Sequence, residues 1–143
     1  MIKLISSKDT FSVRHPVLRA GKPILSCSFD GDDLQTTKHF GLFINNNLIA
    51  VISIFENSSA VFNEARQFQI RGMAVLENHQ KQGYGEKLIQ YVEDYIAKQE
   101  GNLIWFNARE RAVGFYQKLD YATIGKPLEI NDAGIHYVMF KRI

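Results

Sequence analysis

This sequence lacks the cysteine pairs that a disulfide-rich or zinc-binding protein needs. Cys27 is the only cysteine among 143 residues. One cysteine excludes an intrachain disulfide framework and cannot form a zinc site by itself. We therefore interpret Cys27 as a small buried hydrophobic residue rather than a reactive thiol, and we predict no metal site.

Long apolar runs and an excess of one charge are also missing. The longest apolar run, residues 48–55, falls far short of the ~20 residues that cross a bilayer, and residues 1–4 show no signal-peptide pattern. The net charge of +2 is too small to indicate nucleic-acid binding, which needs a clustered basic face. We therefore expect a cytoplasmic protein with no membrane segment and no nucleic-acid partner.

The composition is that of an ordinary globular protein, with 45% hydrophobic and 22% charged residues. A chain of 143 residues can bury roughly two-thirds of its unfolded surface. No repeat, low-complexity tract or long linker divides the sequence, so we predict a single domain over residues 1–143.

Local patterns in the first half predict a strand, a helix and then a hairpin. Residues 2–5 form a short first strand, and Ser6 with Asp9 has capping-box spacing that introduces a helix. Pro16 should kink or interrupt that helix, because proline removes a backbone donor. Residues 40–44 and 48–55 flank Asn45-Asn46-Asn47, which tolerate positive φ and so predict an antiparallel hairpin. With the later helices and strands, this order indicates an α+β fold.

The fourth predicted strand changes its alternation in the middle. Phe68 and Ile70 are apolar at even positions, whereas Met73 and Val75 are apolar at odd positions. Because side chains alternate across a sheet, one residue must be extra if both pairs face the core. A bulge at Arg71-Gly72 would supply it. A central strand that is apolar on both faces is the alternative.

The most informative segment is Gln80-Lys81-Gln82-Gly83-Tyr84-Gly85, between that strand and an amphipathic helix. The N–H groups in the first turn of a helix are unpaired and lie at the positive end of its dipole. Two glycines let the backbone approach an anion without a Cβ in the way. We therefore predict that this loop binds a phosphorylated ligand.

Two known phosphate-binding loops do not match this segment. A P-loop needs a Lys-Ser/Thr pair after its second glycine, but Glu86-Lys87-Leu88 follow here. A dinucleotide fingerprint needs a third glycine three residues after the second, and Leu88 stands there instead. The remaining pattern is Gln-x-x-Gly-x-Gly.

That pattern resembles the coenzyme A pyrophosphate loop of the GCN5-related N-acetyltransferases, the GNAT superfamily. Met73-Ala74-Val75 resembles the superfamily's fourth strand, and residues 102–107, ending in Asn107, resemble its fifth. Residues 112–119 resemble its helical Phe-Tyr-x-Lys-Leu segment. Asp120 replaces a usual glycine, but Asp tolerates the left-handed conformation better than most residues. The tail, residues 133–139, is similar to the last hairpin of a bacterial GNAT subgroup whose acceptors are largely unassigned.

The resemblance, strong over about residues 66–140, implies a fold and an activity. The fold is a central mixed, mostly antiparallel sheet of about seven strands, flanked by helices and splayed between strands 4 and 5. The activity is transfer of an acetyl group from acetyl-CoA to a primary amine by direct attack. The acceptor would be a small-molecule amine or a peptide N-terminus, and the protein a monomer or homodimer.

The resemblance also implies roles for particular residues. Tyr116 would be the general acid, because a phenol with a pKa near 10 stays protonated at neutral pH. The Val75 N–H would stabilise the developing oxyanion. Asn107 would bond the pantetheine arm, although an Asn before a helix is also an ordinary N-cap. The implied cofactor-binding residues are Met73, Ala74, Val75, Gln80, Lys81, Gln82, Gly83, Tyr84, Gly85, Glu86, Asn107 and Tyr116.

Several questions stay open at this level. Arg71 would either bind an acceptor carboxylate or face solvent. A non-catalytic acyl-CoA-binding module and a nucleotide-dependent enzyme are the alternative functions. The general base is water or one of the candidates Asp33, His39, Glu56, Glu64, His79 and His136.

Overall fold

One seven-stranded sheet organises the protein, as a computed structural model of residues 1–130 and 133–143 shows. Its strands are β1 (Ile2–Ile5), β2 (Lys38–Ile44), β3 (Asn47–Phe55), β4 (Gln67–Val75), β5 (Leu103–Arg109), β6 (Ala122–Ile130) and β7 (Gly134–Arg142). The helices are α1 (Phe11–Leu18), α2 (Tyr84–Lys98) and α3 (Val113–Gln117).

The strand order is β1-β2-β3-β4-β5-β7-β6. β4 and β5 pair in parallel, while the other neighbouring strands pair antiparallel. The last strand therefore inserts between β5 and β6. This arrangement confirms the predicted α+β fold and its mixed, mostly antiparallel sheet.

The sheet is covered on both faces. Against one face, α2 buries an apolar stripe of Leu88, Ile89, Val92 and Ile96, all fully buried. On the opposite face, Val13 of α1 packs against Val51 and Ala74. Cys27 is also fully buried, as its interpretation as a small hydrophobic residue predicts. No helix in the described residues is long and apolar enough to cross a membrane.

The β2–β3 hairpin is confirmed. Asn45 and Asn46 have φ of 50° and 67°, and Ile44 pairs with Asn47 across the turn. Two consecutive residues with positive φ are typical of the type I′ turn, whose twist matches that of paired strands. The third asparagine, Asn47, belongs to β3 rather than to the turn.

The predicted capping box is present and leads through a 3₁₀ turn, Lys8–Thr10, into α1, but the interior of α1 differs from the prediction. The Asp9 N–H donates to Ser6 Oγ (3.2 Å) and the Ser6 N–H donates to Asp9 Oδ2 (3.1 Å), which is a capping box. The predicted interruption at Pro16 is wrong, because α1 continues to Leu18. Proline removes only one hydrogen bond near the end of this short helix, and the burial of Val13 anchors α1 to the sheet.

The predicted bulge in β4 is present. Val51 pairs with Ala74 and Ser53 pairs with Arg71, so two residues of β4 oppose one residue of β3. Gly72, inside this bulge, has φ of 67°. Met73 and Val75 pack against the same cluster as Phe68 and Ile70. The bulge therefore keeps both apolar pairs on the α2 face, and β4 is not simply apolar on both faces.

Candidate active site

β4 and β5 separate after a short paired segment. Their register contains Gln67–Leu103, Phe68–Ile104 and Gln69–Trp105 and then ends. Beyond this point, residues 69–73 of β4 and 106–109 of β5 line a cavity of about 500 Å³. The predicted splay between strands 4 and 5 is confirmed.

The open edge of β4 carries a backbone N–H that faces the splay. The Leu76 N–H donates to the Ile49 carbonyl of β3 (2.9 Å). Because successive backbone groups point to opposite edges of a strand, the N–H and C=O of Val75 point towards β5. The Val75 carbonyl accepts a hydrogen bond from Gln80 Nε2 (2.8 Å) on that side. Val75 therefore links the open strand edge to the glycine loop.

The loop from Gln80 to Gly85 has the geometry of an anion site. Lys81 and Gly83 have φ of 62° and 86°, and the first hydrogen bond of α2 runs from the Lys87 N–H to the Gly83 carbonyl (3.1 Å). Since a helix supplies no partners for its first N–H groups, those of residues 84–86 remain available to a ligand. The predicted start of the helix at this loop is confirmed.

The backbone of Gln80 differs from that of the residues that follow it in the loop. The Gln80 N–H donates to the Glu77 carbonyl (3.2 Å), so this N–H is not directed at an anion. Gln80 instead supports the loop through its side chain. The amides that follow it, from residue 81 to 86, form the available concave set.

Gly85 connects the loop to the cavity. A Cβ on Gly85 would lie 3.6 Å from Met73 Cε and 3.6 Å from Phe115 Cζ, whereas a Cβ on Gly83 would have no neighbour within 4 Å. Met73 also lines the cavity. Met73 therefore lies next to both the loop and the cavity.

Tyr116 stands on the α2 face of this splay. Its ring packs on Phe106 with centroids 4.5 Å apart, and the side chain lines the cavity. Burial raises the pKa of Tyr116 to about 12, so the phenol stays protonated at neutral pH. Within the described residues, its hydroxyl has no hydrogen-bond partner.

Two other predicted residues have different surroundings from those expected. Asn107 lies within β5 opposite Val138, and the next helical turn begins only at Glu110. Its interpretation as an N-cap is therefore wrong, while its side chain lines the cavity. Ala74 is buried against Val13 and Val51, so its side chain faces α1 and only its backbone can reach the splay.

Among the candidate bases, His136 is the one that lines the cavity. His39 is buried and bonded to Ser53 Oγ (2.6 Å). Asp33 accepts a hydrogen bond from Ser7 (2.6 Å), and His79 lies beside Tyr84 with ring centroids 6.3 Å apart. The remaining two candidates form ion pairs, Glu56 with Arg66 and Glu64 with Arg142.

The cavity lining also includes residues that were not predicted from the sequence, namely Arg19, Phe29, Arg109 and Arg111. Arg109 carried a usable signal, because it follows Asn107 by two positions and so shares its face of β5. Arg19 and Phe29 come from the segment after α1, where no local pattern indicates which side chains turn inward.

A buried polar network holds that segment against the sheet. Arg14, fully buried, donates to Asp32 Oδ2 (2.7 Å) and Ser53 Oγ (2.9 Å). His39 Nε2 bonds the Asp32 carbonyl (2.9 Å), so its Nδ1 is the acceptor from Ser53 in the neutral ring. Asp32 Oδ2 also accepts the Phe29 N–H (2.9 Å), which positions Phe29 at the cavity.

Comparison with known proteins agrees with this geometry. Residues 9–121 match the Acetyltransferase (GNAT) family. An uncharacterized N-acetyltransferase of Bacillus subtilis, YitI, is 34% identical over 142 residues, which cover 99% of this chain and 95% of that protein.

Solved structures share the fold at low sequence identity. An aminoglycoside 6'-N-acetyltransferase complexed with coenzyme A superposes with a TM-score of 0.78 at 14% identity, covering 99% of this chain and 96% of that one. The ribosomal-protein-S18-alanine N-acetyltransferase from Escherichia coli gives 0.78 at 16% identity, covering 100% and 93%. The family match, the Bacillus relative and the shared fold show that this chain belongs to the GNAT family of acetyltransferases.

Proposed function

We propose that this protein transfers an acetyl group from acetyl-CoA directly to a primary amine across the β4–β5 splay, with Tyr116 as the general acid. Membership of the family makes the chain an acetyl-CoA-dependent N-acetyltransferase. The observation that carries the finer proposal is that the cavity brings together the open edge of β4 and the Tyr116 phenol, next to an anion-binding loop.

The loop and strand edge fit the two polar parts of acetyl-CoA. The amides of residues 81–86 would hold the pyrophosphate, with Lys81 adding positive charge at the surface. The open edge of β4, including the backbone of residues 73–75, would pair with the amides of the pantetheine arm, and Asn107 would bond it from β5. The hydrogen bond from Gln80 to Val75 fixes the position of the loop relative to the open edge of β4.

Acetyl-CoA supplies an activated thioester at the splay. The Val75 N–H would stabilise the negative charge that develops on the carbonyl oxygen, a contribution typically of about 3 kcal/mol per donor. Tyr116 would donate a hydrogen bond, and finally its proton, to the departing sulfur. Although burial raises the pKa of Tyr116 to about 12, the same desolvation raises the proton affinity of a thiolate, so the transfer remains feasible.

His136 is the candidate base that fits this geometry. Its Nδ1 lies 3.1 Å from the Gly134 carbonyl. A carbonyl only accepts, so Nδ1 carries the proton and the neutral ring keeps its Nε2 lone pair. We assign His136 the role of accepting the proton that the attacking amine releases.

The direct test is acetyl transfer to a panel of amines, measured as release of free CoA thiol and as the mass of the acetylated product. We expect product formation that depends on both acetyl-CoA and amine. Acetyl-CoA binding without thiol release for any amine would instead identify a non-catalytic acyl-CoA-binding module. We further propose that the reaction occurs in the cytoplasm, in a single domain spanning residues 1–143, as a monomer or homodimer and without a metal ion.

A further inference from the structure

The cavity has a strongly cationic wall on the face of the sheet opposite Tyr116. Its arginines come from different elements: Arg19 follows α1, Arg71 belongs to β4 and Arg109 to β5, while Arg111 lies in the turn after β5. Among the described residues that line this cavity, none is Asp or Glu. Because the whole chain has a net charge of only +2, this concentration of positive charge is local.

The register places these cations away from the cofactor loop. Arg71 is paired with Ser53, a member of the buried network beneath α1, and Arg109 is paired with His136. Met73 and Tyr116, by contrast, pack against the core on the α2 face. The arginines therefore face the side of the splay that an acceptor can enter, rather than the phosphates.

In the part of the chain that the structure describes, no salt bridge joins these arginines to a carboxylate. The Phe29 ring holds Arg19 and Arg71, with each guanidinium carbon about 5 Å from the ring centroid (5.2 and 5.0 Å). Arg19 donates to the carbonyls of Leu18 and Ser26. The ion pairs among the described residues join other cations, namely Arg14, Arg66, Lys141 and Arg142, to carboxylates.

Arg71 is the most demanding of these groups. It is half-buried, and its hydrogen bond goes to the Asp30 carbonyl at 3.4 Å. Burial lowers the pKa of Arg71, and the nearby Asp32 and Asp30 offset this only in part. Asp32 is itself bound to Arg14, and the Asp30 side chain is exposed. A ligand anion would satisfy donors that Arg71 still presents to the cavity.

Two consequences for an acceptor follow. A planar guanidinium binds a carboxylate through two parallel hydrogen bonds, whereas a polycationic acceptor is repelled. The same positive charges lower the pKa of an acceptor ammonium, which favours the neutral amine that must attack.

We propose that the acceptor is a primary amine that also carries a carboxylate, such as an amino acid or related amino-carboxylate, and that Arg71 and Arg109 bind this carboxylate. This inference rests on the proposed function. It separates amino-carboxylates from the aminoglycosides and polyamines that share the same reacting group.

The test compares each amino acid with its own carboxamide, alongside a polyamine and an aminoglycoside, by thiol release at fixed acetyl-CoA. The amine of the carboxamide is less basic, so a larger fraction of it is neutral at the assay pH, and this favours the carboxamide. A preference for the amino acid must therefore come from binding of its carboxylate by the protein. We expect kcat/KM to be roughly 10- to 100-fold higher for the preferred amino-carboxylate than for its amide.

Variants then locate the carboxylate site. Arg71→Gln and Arg109→Gln should each raise KM for the carboxylate acceptor roughly tenfold or more. The amide's kcat/KM should fall much less, because the amide loses only the effect of the positive charge on its amine. Arg71→Lys, which keeps the charge but loses the planar pair of donors, should show an intermediate effect. Arg142→Gln, at an exposed ion pair outside the cavity, is the matched control and should behave as the wild type.

The outcomes separate this inference from the function on which it rests. Turnover of the amide or the polycation at equal or higher kcat/KM would overturn the acceptor class and leave acetyl transfer intact. A protein that binds acetyl-CoA but neither acetylates nor is thermally stabilised by any amino-carboxylate would overturn the acceptor class as well. Failure to bind acetyl-CoA would overturn the proposed function itself.

Discussion

Tyr116 combines an apolar environment with a hydroxyl that reaches the cavity. Its ring packs at a tilt against Phe106 and edge-on against Tyr121, while its oxygen has no hydrogen-bond partner within the described residues. Tyr121 differs, because its hydroxyl donates to Glu93 Oε2 (2.8 Å) and that carboxylate also binds Lys141. Of the two neighbouring phenols, Tyr116 is therefore the one that can serve a reaction.

Replacing Tyr116 with Phe should separate catalysis from stability. Tyr116→Phe keeps the ring packing and removes only the hydroxyl, so we expect kcat to fall about 100-fold or more with little change in the free energy of unfolding. Steady-state kinetics and urea unfolding measure the two effects. Tyr91→Phe, on α2 beside Phe40 and outside the cavity lining, is the control and should retain full kcat.

The pH dependence tests the same role. An acid must be protonated to act, and the pKa of Tyr116 is raised to about 12. Deprotonation of Tyr116 should therefore leave kcat unaffected up to about pH 11. A fall in kcat should begin only as the pH approaches 12. A wild-type rate that drops near pH 10 and is insensitive to Tyr116→Phe would show that another group is the acid.

Gly83 is the N-cap of α2 in the proposed anion-binding loop, and its substitution tests that proposal. A Cβ there meets no atom within 4 Å, but φ is 86°, so Gly83→Ala should cost about 1–2 kcal/mol of unfolding free energy through backbone strain. Gly125→Ala, with φ of 76° and equally open space, should cost the same. Only Gly83→Ala should raise the Kd for acetyl-CoA, by roughly tenfold, in calorimetric titration. Equal Kd values in both variants would argue against a phosphate at this loop.

At the scale of elements, the β4 bulge does two things at once. It shifts the alternation so that Met73 and Val75 face the α2 core, and it lets the backbone approach the segment after α1 closely. A Cβ on Gly72 would lie 2.9 Å from Phe29 Cε2 and 3.3 Å from Arg14 Nε. The bulge thus joins the cofactor edge of β4 to the aromatic support of the cationic wall.

A substitution of Gly72 in the bulge should therefore lower the unfolding free energy by more than its positive φ alone would cause. Gly72→Ala combines backbone strain with a steric conflict, and we expect a loss of about 2–5 kcal/mol in unfolding free energy. Gly134→Ala, where φ is 82° and no atom lies within 4 Å, should lose only the strain term. Urea unfolding of both variants measures the two losses in unfolding free energy. Equal losses would mean that the Phe29 ring moves aside without an energetic penalty.

The sequence predicted those elements whose cause is local. Asn45 and Asn46 form the expected turn, and Asp120 adopts φ of 73° at the position where the family usually has glycine. Both depend on the dihedral tolerance of single residues. The α3 segment was also expected, although its α-helical part is only Val113–Gln117.

Features that depend on distant residues could not be predicted in this way. The Arg14–Asp32–Ser53 network joins residues 18 and 39 positions apart, and β7 reaches its place between β5 and β6 only by pairing across the sheet. The cationic wall likewise assembles from α1, β4 and β5. No short window of sequence contains enough of these partners to indicate that they meet.

At the scale of the whole molecule, the two faces of the sheet contribute different side chains to the cavity. Met73 and Tyr116 lie on the α2 side with the proposed anion-binding loop, and Arg71 and Arg109 lie on the α1 side. The splay is the passage between them. Binding of acetyl-CoA and recognition of the acceptor should therefore respond to different substitutions.

Thermal unfolding can measure this separation. A ligand at 100 times its Kd stabilises the native state by about 2.7 kcal/mol, which for this chain length raises Tm by about 9 °C. We expect that shift with acetyl-CoA, and a much smaller one with ATP or NAD at the same concentration, since neither has a pantetheine arm to pair with β4. Equal shifts with all three would favour a nucleotide site over the proposed one.

The decisive comparison uses one variant from each side. Arg71→Gln should keep the full acetyl-CoA shift in Tm, because Arg71 faces the α1 side, whereas Gly83→Ala, with its roughly tenfold higher Kd, should lose about half of it at the same ligand concentration. If Arg71→Gln lost the shift instead, the arginines would belong to the cofactor site, and their positive charge could no longer be assigned to an acceptor carboxylate. If Arg71→Gln keeps the acetyl-CoA shift in Tm and also has a raised KM for the amino-carboxylate, then acetyl-CoA and the acceptor carboxylate bind on different sides of the splay.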